Sequence, residues 1–125
     1  MGTTQLRVVG AGLFYLFIFL SGYWLSHSGK PFNVIILTIH KLISLAAVVF
    51  LVITIYQINH VAKLGAIEWI ASVVTGLFFL GTIITGGLLS TGKPTPAAIL
   101  TMHQITPFLT VLSTAVTLYL LLSRK

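Results

Sequence analysis

The chain has 125 residues, 57% of them hydrophobic and 6% charged, and its mean hydropathy of +1.08 is that of an integral membrane protein rather than a water-soluble domain. With no cysteine and a single acidic residue, Glu68, the composition excludes iron-sulfur clusters, thiolate zinc sites, covalently attached haem and paired-carboxylate chemistry. The net charge of +6 comes from basic residues placed singly at the ends of apolar runs, where they anchor helices at lipid headgroups; no nucleic-acid surface is implied.

The first apolar run, residues 5–26, is too long for the core of a secretory signal and lacks a small-residue cleavage site, so it is expected to be a mature transmembrane helix. The second spans residues 32–59, the third 66–90 and the fourth 96–123. Each exceeds the ~20 residues needed to cross a bilayer. Glu68 falls in the first turn of the third helix, where a negative charge is favourable, and Pro107 is expected to kink the fourth. The dividers at 26–31, 60–65 and 90–94 all contain glycine, and two end in proline, which suits a helix stop followed by a helix start. Such short connections make neighbouring helices antiparallel. The fold class is therefore all-α: an integral membrane four-helix up-and-down bundle, a single transmembrane domain over residues 1–125. Continuous rather than alternating apolar segments argue against an outer-membrane barrel.

Sliding the sequence against itself reveals a tandem repeat of two helices. Gly12-Leu13-Phe14-Tyr15-Leu16 recurs as Gly76-Leu77-Phe78-Phe79-Leu80, and Ser21-Gly22 as Thr85-Gly86. After a one-residue loss, Gly29-Lys30-Pro31 recurs as Gly92-Lys93-Pro94 and Leu37-Thr38-Ile39-His40 as Leu100-Thr101-Met102-His103. The repeat halves are about 1–62 and 63–125. Two helices per repeat give both copies one membrane orientation, related by a pseudo-two-fold axis along the membrane normal. His40 and His103 then lie at equal depth on the second and fourth helices, diagonally across the bundle.

Each of these histidines is ~9 Å from the midpoint of its helix at the α-helical rise, inside the hydrocarbon zone. An ionisable group there is costly unless it faces the interior and has a partner. Two imidazoles on diagonal helices can reach one iron from opposite sides, so His40 and His103 are expected to be the axial ligands of a haem b. The first and third helices supply Gly22, Gly81, Gly86 and Gly87 for close backbone approach to such a ring. Lys41, Lys30 and Lys93 are the cations available to neutralise its propionates. His60 has Ser123 at its repeat-equivalent position, so one haem per chain is expected. His27 and His60 fall at connections and read as interfacial side chains, as do Trp24, Trp69, Tyr23, Tyr56 and Tyr119.

The four-helix core and its two histidines resemble the membrane-embedded bis-histidine b-type cytochromes. That resemblance implies an electron-transfer or oxidoreductase subunit relaying electrons between a quinol and a partner or oxidant, with a redox partner subunit or a second copy of the chain. Arg7, Lys63, Arg124 and Lys125 lie on the face with both termini, against Lys30 and Lys93 opposite, which places both termini in the cytoplasm of a cell inner (plasma) membrane. Three other readings stand beside it. The histidines hold the bundle together by bonding threonine or backbone groups; or they line a small transporter or channel with the hydroxyl seam of Thr106, Thr110, Ser113 and Thr117; or the chain is a non-catalytic membrane anchor or assembly subunit.

Overall fold

A computed structural model describes residues 2–29, 32–91 and 93–123. Its four helices are α1 (Thr3–Ser28), α2 (Val34–Val61), α3 (Ala66–Leu89) and α4 (Ala97–Leu122), and all four are long and apolar enough to cross a membrane. The described residues form no strand.

Helix ends depart from the apolar runs by one or two residues because local hydrogen bonds, rather than hydropathy, set them. The Asn33 side chain accepts from the backbone N–H groups of Ile35 and Ile36 at 2.9 and 3.2 Å, an N-cap that starts α2 at Val34. α2 continues past Asn59, whose side-chain oxygen accepts from the Leu64 N–H at 3.0 Å and draws the next connection back onto the helix end. α1 closes on Gly29, where φ is +69°, a backbone conformation that glycine adopts without a Cβ penalty. Pro107 sits inside α4, which runs on through it as one helix.

α1 packs along α2 and α3 along α4, giving two hairpins. These meet more lightly, α2 against α3 and α1 against α4. The resulting cyclic order puts α2 and α4 on a diagonal, as the short connections imply. Burial repeats with the sequence: the equivalent pairs Ala47 and Thr110, Leu51 and Thr114, Thr54 and Thr117, and Ala11 and Thr75 are all buried. Seven residues beyond each histidine, Ala47 and Thr110 are the least exposed positions, at 2% and 1%.

Large apolar side chains such as Leu13, Phe17, Leu42, Val52, Leu77 and Leu112 point outward on all four helices. Such a surface suits lipid and would drive association in water. With lipid as apolar as any core, the interior gains instead from close packing and hydroxyl contacts between helices. Thr75 of α3 donates to the Ala71 carbonyl and accepts from Ser113 and Thr117 of α4 at 2.6 and 2.9 Å. Beside this polar seam, Ala11, Ala47, Leu51, Phe79 and Leu118 form a dry cluster, flanked by Phe14, Tyr15 and Phe50. That cluster fills the half of the bundle nearer the termini and leaves the histidines in the other half.

Candidate functional site

His40 on α2 and His103 on α4 are half-buried and face each other across the diagonal, with ring centroids 6.4 Å apart and planes at 77°. Each ring is held by the preceding helix of its own hairpin. Ser21 Oγ lies 2.8 Å from His40 Nδ1 and within 2.8 and 3.0 Å of the Phe17 and Ile18 carbonyls. Thr85 Oγ1 lies 3.0 Å from His103 Nδ1 and 2.9 and 3.0 Å from the Gly81 and Thr82 carbonyls. The two halves of the repeat therefore build the same bracket.

These partners assign the tautomer. A hydroxyl has one proton, and the carbonyls beside it only accept, so the proton is given to the helix backbone and the oxygen accepts from imidazole N–H. His103 Nδ1 is also 3.0 Å from the Thr82 carbonyl, which again requires Nδ1 to be the donor. With Nδ1 protonated in both rings, each Nε2 keeps its lone pair. Neither Nε2 has a protein hydrogen-bond partner among the described residues. A hydroxyl or carbonyl that fixes Nδ1–H while Nε2 stays bare is the usual outer support of a metal-ligating histidine.

The glycines take a more specific part than the sequence pattern assigns them. A Cβ on Gly22 would stand 3.1 Å from His40 Cε1, and one on Gly86 would stand 2.8 Å from His103 Cε1. The close backbone approach expected for a cofactor is made at these two positions by the imidazoles themselves. Gly81 and Gly87 have open space around the position of a Cβ. Compared with protein-family models, with characterised proteins and with solved structures, the chain matches none.

Lys41 donates from Nζ to Ser90 Oγ at 2.9 Å, joining α2 to the end of α3 across the hairpin boundary. Lys93 is exposed beyond α3, and Lys30 lies outside the described residues. His27 and His60 are exposed and stack on Tyr23 and Tyr56 at 5.0 and 6.1 Å, away from the central pair. Glu68 occupies the first turn of α3. Among the described residues no group of three or more histidine, cysteine or acidic side chains comes together.

Chemically, the described residues offer two neutral nitrogen donors here and no third. A metal–imidazole bond is ~2 Å long; two such bonds plus the ~1 Å from each nitrogen to its ring centre come to about 6 Å. The observed 6.4 Å separation is close to that sum, which applies to two Nε2 atoms turned toward one ion.

Proposed function

We propose that the chain is a membrane b-type cytochrome subunit in which His40 and His103 are the axial ligands of one haem b. The observation that carries this reading is the matched pair of hydroxyl-held imidazoles 6.4 Å apart, each with Nδ1 committed to its neighbouring helix. Two nitrogen donors without a third protein ligand suit a metal that brings its remaining ligands with it, as haem iron does through its macrocycle. When bound, the haem supplies a one-electron redox couple.

The protein's own residues account for the rest. Ser21 and Thr85 hold the rings in the ligating tautomer, Gly22 and Gly86 let the rings lie against α1 and α3, and Lys41 is a cation available to a propionate near the same end. If His40 and His103 both held the iron, no position on it would be left open, and electron transfer would be favoured over oxygen activation. In this reading the electrons come from a membrane quinol, which yields two electrons and two protons, and leave singly to a partner subunit or oxidant. The bundle-holding alternative accounts for less: each histidine hydrogen-bonds only within its own hairpin, so no hydrogen bond of the pair ties the hairpins together. A polar path is also poorly supported, because the seam hydroxyls are spent on helix carbonyls and on one another.

The absorption spectrum of the purified protein tests the assignment. A dithionite-reducible Soret and α-band species is expected, with one haem per chain by pyridine haemochrome. A colourless protein from haem-replete cells would overturn it. For orientation, we propose cytoplasmic termini in a plasma membrane, from the excess of Arg7, Lys63, Arg124 and Lys125 over Lys30 and Lys93. A cysteine placed at Gly29 should then react with an impermeant maleimide from outside intact cells; labelling only after lysis would reverse the topology.

A further inference from the structure

Between α1 and α4, in the half of the bundle nearer the termini, lies an open groove of about 540 Å³, within the size range of small-molecule sites. Ala11 and Gly12 on one side and Ala115 and Leu118 on the other form part of its walls, and Tyr15 and Thr114 meet across it. Among the described residues no charged side chain lines it.

The hydroxyl accounting here differs from that of the other buried hydroxyls. In the Thr75, Ser113 and Thr117 cluster, three hydroxyl protons serve three bonds: Thr75 donates to a carbonyl, and the other two donate to Thr75. Thr54, Thr82, Thr85, Thr101, Thr106 and Thr110 each donate to a carbonyl of their own helix. Tyr15 and Thr114 have two hydroxyl protons and one hydrogen bond, to each other, at 2.5 Å. Whichever donates, the other's O–H has no acceptor among the described residues, and in an apolar surrounding an unspent donor is costly. The repeat shows that the fold does not require it. At the equivalent positions stand Phe79 and Leu51, both buried and without hydroxyls, while Thr75 and Val52 stand where the groove has Ala11 and Ala115. At Ala11 and Ala115 the chain departs from its own symmetry toward smaller walls, and at Tyr15 and Thr114 toward a spare donor.

We propose that the α1–α4 groove binds a lipid-soluble quinone, whose carbonyl accepts the spare proton of the Tyr15–Thr114 pair. At the depth of Tyr15 and Thr114 a neutral donor among uncharged described walls calls for a neutral acceptor. The walls match an apolar tail, and a groove open along the bundle surface admits a molecule dissolved in the bilayer. The choice of a quinone among neutral carbonyl compounds rests on the cytochrome reading, which needs an electron donor carried by the membrane.

The test uses the full chain in phosphatidylcholine vesicles with a decyl-tailed benzoquinone as the probe. Saturable binding is expected, with the bound carbonyl stretch moved to lower wavenumber than in protein-free vesicles. Tyr15→Phe with Thr114→Val should abolish that shift. Gly12→Leu should weaken binding at least tenfold by filling the groove, because a Cβ at Gly12 meets nothing within 4 Å and Gly12 lines the groove wall; circular dichroism of the variant checks that the bundle remains. An unshifted carbonyl band, undiminished binding to Gly12→Leu, or equal occupancy by decyl acetate would overturn the proposal, the last by making the groove a slot for lipid esters. Haem content is measured in parallel on the same samples. Haem without quinone binding rejects the groove alone, whereas quinone binding to a haem-free chain supports the groove and rejects the cytochrome.

Discussion

Alanine in place of His40, of His103 or of both is expected to remove the low-spin haem spectrum while the protein still inserts and remains a four-helix bundle. The double variant should retain no haem through dialysis, because the described residues bring no third histidine, cysteine or carboxylate to the pair. Survival of the fold follows from the hydrogen bonds around the rings. Ser21 and Thr85 already reach the carbonyls of their own helices, so loss of the imidazoles strands no hydroxyl proton. The dry cluster around Ala11, Leu51 and Phe79 and the Thr75 bonds to α4 lie toward the other end of the bundle. Alanine at His27 or His60, which are exposed and stacked on tyrosines, should leave the spectrum unchanged. Difference spectra and pyridine haemochrome on membranes matched for protein amount read both outcomes. Full haem retention in the double variant would reject the ligand assignment.

Hydropathy and internal repetition make the four helices, their antiparallel order and the paired depth of the histidines legible in the amino-acid sequence. Other features are not legible there, and for physical reasons. The start of α2 depends on one side-chain cap from Asn33, a local hydrogen bond to which an apolar window is blind. The interior faces are hard to find by periodicity because lipid and core are both apolar; the buried polar residues are threonines, and the outward ones include leucines, valines and phenylalanines. Glycine carries no side chain to announce its role, so Gly22, Gly81, Gly86 and Gly87 look alike in sequence, although imidazoles press on the first and third and the other two stand open. The orienting hydroxyls are separated from their histidines by 19 and 18 residues, with a connection between them. Their meeting depends on the rotation of two helices. Even so, the repeat carries a usable signal: a hydroxyl followed by glycine, Ser21-Gly22 and Thr85-Gly86, is matched in each half with a histidine on the next helix.

That signal leads to the second large effect, on the brackets rather than the ligands. Ser21→Ala and Thr85→Val should each lower haem affinity by roughly 10- to 100-fold, the usual range for losing an outer partner of a metal-bound histidine. The cause is the Nδ1–H bond: without it the imidazole is free to rotate, to change tautomer and to lose basicity at Nε2. A less basic ligand favours oxidised iron less, so both variants should also raise the midpoint potential. His103 keeps the Thr82 carbonyl as an acceptor at 3.0 Å and His40 keeps that of Ile18 in the equivalent turn, which should place both variants toward the milder end of the range. The repeat supplies its own rescue. Ser21→Thr and Thr85→Ser exchange the two natural solutions and should restore both affinity and potential, since either hydroxyl can bond its helix carbonyls and accept from imidazole. Haem titration into apoprotein, with redox potentiometry of the loaded form, separates positioning from packing. A variant that loses thermal stability while keeping haem affinity and potential would show that the hydroxyls serve only the hairpin contact, and the tautomer argument for His40 and His103 would fall with it.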